Sequence, residues 1–109
     1  MKKINFKKLS GLIPVVIQDY KNKQVRMVGF MNKLAWRKTL ATSQVWFYSR
    51  TKRRLWRKGE TSGNFLEVKK IRLDCDNDSL LIMAKQIGGA TCHTGRKSCF
   101  FQLIKKGSS

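Results

Sequence analysis

The sequence predicts a small, mainly β domain with one short helix, an α+β fold. Three observations carry this. The chain has 109 residues, one domain's worth. Runs rich in β-branched and aromatic residues recur along it, separated by Gly, Asn and Asp turn signals. A helix start signal stands at Asn32.

The elements follow in order. Leu12 to Asp19 reads as a strand, with Pro14 near its start or on an edge. Tyr20-Lys21-Asn22-Lys23 is a hairpin turn, and Gln24 to Phe30 returns as a second strand. Asn32 is the N-cap of a helix reaching about Ala41, with Leu34, Trp36, Leu40 and Ala41 supplying its apolar surface. Gln44 to Ser49 is a further strand. RTKRRLWRK then carries six basic residues among nine, and Gly59 to Asn64 is a loop. Phe65 to Leu73 and Leu80 to Lys85 are extended segments on either side of an acidic knot. Gly88-Gly89-Ala90-Thr91 is flexible, and Cys99 to Ile104 reads as a last strand. Residues 1–106 form the domain and residues 107–109 a disordered tail.

Composition narrows the function classes. At 41% apolar residues, disorder is not the default. No run of about eighteen apolar residues exists, so no membrane span is expected. The basic N-terminus, MKKINFKKLSGLIP, lacks the apolar core and cleavage site of an export signal. A cytoplasmic setting with reduced thiols follows, and three cysteines do not make a simple disulfide framework. The 24 Lys and Arg against 6 Asp and Glu give a net charge of +18. Such a field attracts nucleic acid non-specifically, and it equally suits a small phosphorylated substrate.

Three constellations can carry chemistry. Asp74-Cys75-Asp76-Asn77-Asp78 holds half of the acids in the chain. Crowded carboxylates repel unless a cation neutralises them, and a hard ion such as Mg²⁺ is the natural one. If the segment is extended, Asp74, Asp76 and Asp78 share a face and Cys75 points away. An EF-hand is excluded, because its Gly and Glu positions hold Ser79 and Lys85. The alternative is a solvated acidic turn. The second constellation is Cys75, Cys92, His93 and Cys99, ligand types suited to Zn²⁺. Three thiolates would leave an open position for water. His93 is then either a fourth, closing ligand or a base that moves protons. The same cysteines would also serve as small buried apolar residues. The third is SRTKRRLWRKGETSGN, Ser49 to Asn64, whose glycines, hydroxyls and cations can cradle phosphate while Trp56 stacks on a base. Read alone, it is equally a solvated basic hairpin.

Together these blocks resemble the phosphoribosyl-AMP cyclohydrolase family. The matching stretches are Gly11-Leu12-Ile13-Pro14, Phe30-Met31-Asn32, FYSRT, LWRKGETSGN, IRLDCDND and CHTGRKSCF, in family order from Gly11 to Phe101. The resemblance implies a hydrolase of histidine biosynthesis that opens the N1–C6 bond of the adenine ring in 1-(5-phosphoribosyl)-AMP. It implies Zn²⁺ and Mg²⁺, a cytoplasmic setting and an interlocked homodimer. Cys75 would meet Cys92 and Cys99 of another subunit around zinc, and Asp74, Asp76 and Asp78 would hold magnesium. His93 would relay a proton. Arg50, Arg57, Lys58, Arg96 and Lys97 are candidates for the phosphates, with Trp56, Glu60, Thr61 and Ser62 completing the substrate loop. The chain is far more basic than members of this family often are. It is also expected to lack the fused pyrophosphohydrolase domain that some members carry.

Overall fold

A computed structural model describes residues 3–107. Met1, Lys2 and the tail residues Ser108 and Ser109 lie outside them, while Gly107 is exposed and without regular structure. Six strands and one helix follow the α+β expectation: β1 (Ile13–Asp19), β2 (Val25–Met31), α1 (Lys33–Thr42), β3 (Trp46–Ser49), β4 (Arg54–Arg57), β5 (Phe65–Leu73) and β6 (Leu80–Ile87). One sheet has the order β2-β1-β6-β5, and β3 and β4 form a separate hairpin. β1 runs antiparallel to β2 and parallel to β6, and β5 is antiparallel to β6. No described helix is long and apolar enough to cross a membrane.

Strict alternation builds the core. Ile13, Val15 and Ile17 point inward from β1, each fully buried, and Leu80, Ile82 and Ala84 do the same from β6. Leu66, Met31, Val45 and Phe47 close over them. Both outer edges of the sheet are engaged. Val45 N–H donates to Leu66 O and Val68 N–H to Ser43 O along β5, while Cys99 N–H donates to Arg26 O on β2. These bonds blunt edges that would otherwise template pairing.

The helix begins as expected: the Asn32 side chain accepts from Ala35 N–H at 2.8 Å. Its buried face differs from the expectation. Ala35 and Thr39 are the buried residues, whereas Leu34, Leu40 and Ala41 are exposed and Trp36 is half-buried. Small residues win because α1 packs closely on β3. Thr39 Oγ1 donates to Ala35 O and accepts Trp46 N–H at 3.0 Å, joining helix and hairpin.

Other segments also depart from the sequence reading. The basic run contains β4, which pairs with β3 from Trp46↔Arg57 to Ser49↔Arg54. The expected strand from Cys99 to Ile104 does not form: apart from the Cys99 bond it pairs with no strand among the described residues. Phe100, Leu103 and Ile104 are 64%, 78% and 95% exposed. Gly88 to Thr91 is held in place, with Ala90 and Thr91 buried and Gly89 N–H donating to Asn64 Oδ1.

The acids are distributed unevenly. Asp19 pairs with Arg26 at 2.9 Å, Glu60 with Arg54 at 3.3 Å and Glu67 with Lys69 at 2.7 Å, and the other three share one turn. Burial pushes the Asp19 carboxyl up, but N–H groups of Asn22 and Lys21 and the Arg26 guanidinium outweigh it and hold the group below the usual carboxylate range. A depressed carboxyl stabilises the fold above its unfolded pKa, and that contribution is lost as pH falls through the folded value. Wild type and Asp19→Asn should therefore differ in denaturant midpoint at pH 6, and the gap should close progressively below about pH 4.

Candidate active site

Two loops meet across a cavity of about 500 Å³. One wall is β4 and the loop that follows it, with Arg54, Trp56, Arg57, Lys58, Gly59, Glu60, Thr61, Ser62 and Asn64. The facing wall is Thr91, Cys92, His93 and Gly95. The β3–β4 ladder aims the first wall: Trp56 pairs with Phe47 and stacks on it with ring centroids 5.1 Å apart. Gly59 then turns the chain at φ +92°. A Cβ there would stand 2.6 Å from the Asn64 carbonyl carbon and oxygen. Gly59→Ala should thus displace the whole loop, with kcat/KM falling by about 10²-fold. Steady-state kinetics on a variant with native circular dichroism checks it.

The facing wall is a tight turn. Thr91 and Cys92 N–H groups both donate to Arg96 O, and Gly95 N–H donates to Cys92 O. Cys92 is buried and Cys99 exposed. Thr94 Oγ1 lies 3.1 Å from Cys92 Sγ, and its hydrogen bonds are the main cause that holds this thiol below its ordinary range. Cys99 interacts with Cys92, but burial first and then this neighbour push its thiol up. Lys58 faces the pair: burial lowers its pKa and the two cysteines oppose that shift. A lowered thiol beside a second thiol is a donor pair suited to a soft or borderline cation.

Asp74, Asp76 and Asp78 sit in a turn between β5 and β6, not in an extended segment. Asp74 Oδ1 accepts the N–H groups of Asp78 and Ser79, Asn77 N–H donates to Asp74 O, and Asn77 takes φ +61°. The turn forms because a carboxylate oxygen captures backbone donors more cheaply than a strand does. One oxygen from each of the three carboxylates lies within 4.8 Å of the others. Lys8 Nζ contacts Asp78 Oδ2 at 2.8 Å and holds that carboxyl down. This all-oxygen cluster fits a hard divalent ion.

Cys75 shares the acidic turn, so it does not join Cys92 and Cys99 within the chain. β6 separates them: the turn precedes Leu80 and Cys92 follows Ile87, and eight strand residues span about 23 Å. Cys99 sits at the far end as well, bonded beside the start of β2.

Of the expected substrate residues, Trp56, Arg57, Lys58, Glu60, Thr61 and Ser62 line the cavity with Cys92 and His93. Arg50, Arg96 and Lys97 do not. The Arg50 guanidinium lies 4.0 Å over the Phe30 ring and that of Arg96 3.9 Å over Phe101. Lys52, Arg54 and Asn64, which the sequence offers only as part of the Ser49 to Asn64 stretch, also line the cavity, as does Thr91, and Thr94 bonds Cys92; neither threonine is singled out by the sequence. Lys52 and Arg54 belong to the same basic run as Arg57, and Thr94 to the CHTG block, so the motifs themselves were the available signal.

Comparison with known proteins adds to this geometry. A family model for phosphoribosyl-AMP cyclohydrolase matches residues 27–101. The phosphoribosyl-AMP cyclohydrolase of Clostridium botulinum strain Alaska E43 is 58% identical over 99 residues, covering 91% of this chain and 90% of that protein. The phosphoribosyl-AMP cyclohydrolase of Clostridium beijerinckii is 50% identical, covering 94% and 93% respectively. The histidine biosynthesis bifunctional protein HisIE of Pasteurella multocida is 56% identical over 103 residues, matched across 51% of its length.

Proposed function

Since the chain belongs to the phosphoribosyl-AMP cyclohydrolase family, we propose that it hydrolyses 1-(5-phosphoribosyl)-AMP at the N1–C6 bond of the adenine ring, in cytoplasmic histidine biosynthesis. The observation that carries this reading is the single cavity in which the LWRKGETSGN loop faces Cys92 and His93.

The reaction adds water at C6, breaks N1–C6 with the electron pair leaving on N1, and delivers a proton to that nitrogen. Opening an aromatic ring near neutral pH needs activated water. Zn²⁺ held by Cys92, Cys99 and a Cys75 thiolate would supply it by acidifying its fourth, water ligand. His93, exposed in the cavity wall, would take the proton from water and return it to N1. Trp56 offers a flat apolar face for the base. Lys52, Arg54 and Arg57 give the cavity positive charge for phosphate oxygens, and Thr61 and Ser62 add hydroxyl donors. Asp74, Asp76 and Asp78 would hold Mg²⁺ as oxygen ligands, and the ion would offset phosphate charge.

The separation of Cys75 from the other thiols supports a homodimer in which each zinc site draws on two chains. Two zinc-bound sulfurs lie within about 4 Å of each other, far less than the length of β6. Exposed Val25, Val28, Phe100 and Leu103 provide apolar surface for such a contact. Cys75→Ala and Cys92→Ala should each be inactive. Refolded together in equal amounts, they should recover up to about a quarter of wild-type activity, because half the dimers then hold one intact site of two. No recovery from folded, mixed dimers would contradict shared sites.

The activity itself is tested directly. Purified protein loaded with Zn²⁺ and Mg²⁺ is mixed with phosphoribosyl-AMP, and ring opening is followed by ultraviolet absorbance. Turnover that a chelator removes and zinc restores is the expected result. A folded, metal-loaded dimer without turnover would rule the assignment out.

A further inference from the structure

The β1–β2 ladder is irregular at one place. Ile17 pairs with Met27 and Gln18 with Val25, so Arg26 has no partner across the ladder. A residue inserted in this way breaks the alternation of faces and re-aims its side chain. Arg26 and Met27 are consecutively buried as a result. The Arg26 side chain is 8% exposed, and its guanidinium reaches two ways. Nη2 donates to Asp19 Oδ1 at 2.9 Å. Nη1 donates to Lys97 O at 3.0 Å and to Gln24 Oε1 at 2.8 Å. The Arg26 carbonyl accepts Cys99 N–H at 2.7 Å, and the adjacent Val25 carbonyl accepts Ser98 Oγ–H at 2.6 Å. Asp19 Oδ2 meanwhile accepts the N–H groups of Lys21 and Asn22, which ties the hairpin turn to the same carboxylate.

We propose that the buried Asp19–Arg26 pair is a positioning device for the thiol loop: it fixes Lys97 to Cys99 against the edge of β2 and so sets where Cys99 stands relative to Cys92. The inference rests on the reading of these two cysteines as ligands of one metal ion. Residues 91–96 are held by their own turn, through the bonds of Thr91, Cys92 and Gly95. Cys99 lies three residues beyond that turn, in chain without regular structure. Its anchors are the β2 carbonyls and the guanidinium that grips Lys97. A planar fork suits this task, because it serves a carboxylate and a carbonyl at once. Lysine at this position keeps the charge but offers a single point of attachment.

The test uses Arg26→Lys, Arg26→Gln and Asp19→Asn, with Glu67→Gln as a control that removes only the exposed Glu67–Lys69 pair. Zinc affinity is read by chelator competition. The metal-free reactivity of each cysteine towards iodoacetamide is read by peptide mass mapping. The Arg26 variants should bind zinc about 10- to 100-fold more weakly, with kcat falling more than KM changes. Cys99 should alkylate faster relative to Cys75, and the control should match wild type throughout. A folded Arg26→Lys or Arg26→Gln with wild-type zinc affinity and wild-type Cys99 reactivity overturns the proposal. If the Arg26 variants do not fold, Asp19→Asn decides by the same two readouts. Failure of wild type to bind zinc would instead strike the ligand reading, while the metal-free Cys99 comparison still reports on positioning.

Discussion

Replacing Cys92 by alanine should reduce ring opening to the uncatalysed background. Cys92 is buried, its thiol is held low by Thr94, and it lines the cavity. Removing it deletes one of the three proposed soft ligands, and two thiolates cannot make the three-ligand open site that catalytic zinc uses. The structural cost should be small, about 1 kcal/mol, since one sulfur atom leaves a turn that is otherwise backbone-bonded. Zinc content per chain should fall together with activity, at an almost unchanged unfolding midpoint. His93→Ala separates the proton relay from the metal. It should keep zinc and lose about 10²–10⁴-fold in kcat, the usual worth of a general acid–base. Loss of zinc in His93→Ala would make the residue a ligand, and turnover persisting in Cys92→Ala would remove the thiol from the chemistry.

Phe47→Ala should be the most destabilising single substitution in the core, by about 3–5 kcal/mol. Phe47 is 1% exposed and forms the joint between the two sheets. Its ring stacks on Trp56 at 5.1 Å, and a Cβ added to Gly29 of β2 would come within 2.6 Å of it. The alanine variant leaves a hole beneath the hairpin that carries Trp56 to Lys58, so the loss is felt in the cavity wall as well. Domains of this size are stable by only about 5–15 kcal/mol, and a large part of that would disappear. Urea unfolding at 25 °C measures it, and a cost below about 1 kcal/mol would mean that Phe47 is not the joint described.

Much of the scaffold could be read from local pattern. Runs of β-branched residues on either side of a turn signal marked β1 and β2, and Asn32 marked the helix start because capping is a local hydrogen bond. Elements decided by partners were not legible. Arg54 to Arg57 carries two cations and became a strand because β3 lies beside it. Cys99 to Ile104 has good strand composition and no strand to join. The helix face was misjudged because apolarity suggested Leu34 and Leu40, whereas close approach to β3 selects Ala35 and Thr39. The site divides in the same way. The cavity loops announced themselves as motifs, and the acidic cluster as a charge anomaly. The Asp74 turn replaced an expected extended run because backbone N–H groups compete for its carboxylate. Arg26 looks in the sequence like one more surface cation among many. Only a ladder irregularity, set by pairing between two strands, turns it inward.

The allocation of the acids has a further consequence. With Asp19, Glu60 and Glu67 each neutralising a cation and the other three gathered in one turn, the charged side chains elsewhere on the surface are cations. The same field that would draw the proposed phosphorylated substrate inward works against bringing two copies of the chain together. The proposed dimer would then have to be driven by apolar contact, and dissolved salt would act on the two encounters in opposite senses. By shortening the reach of charge it slows capture of the anion and eases the approach of like-charged protomers.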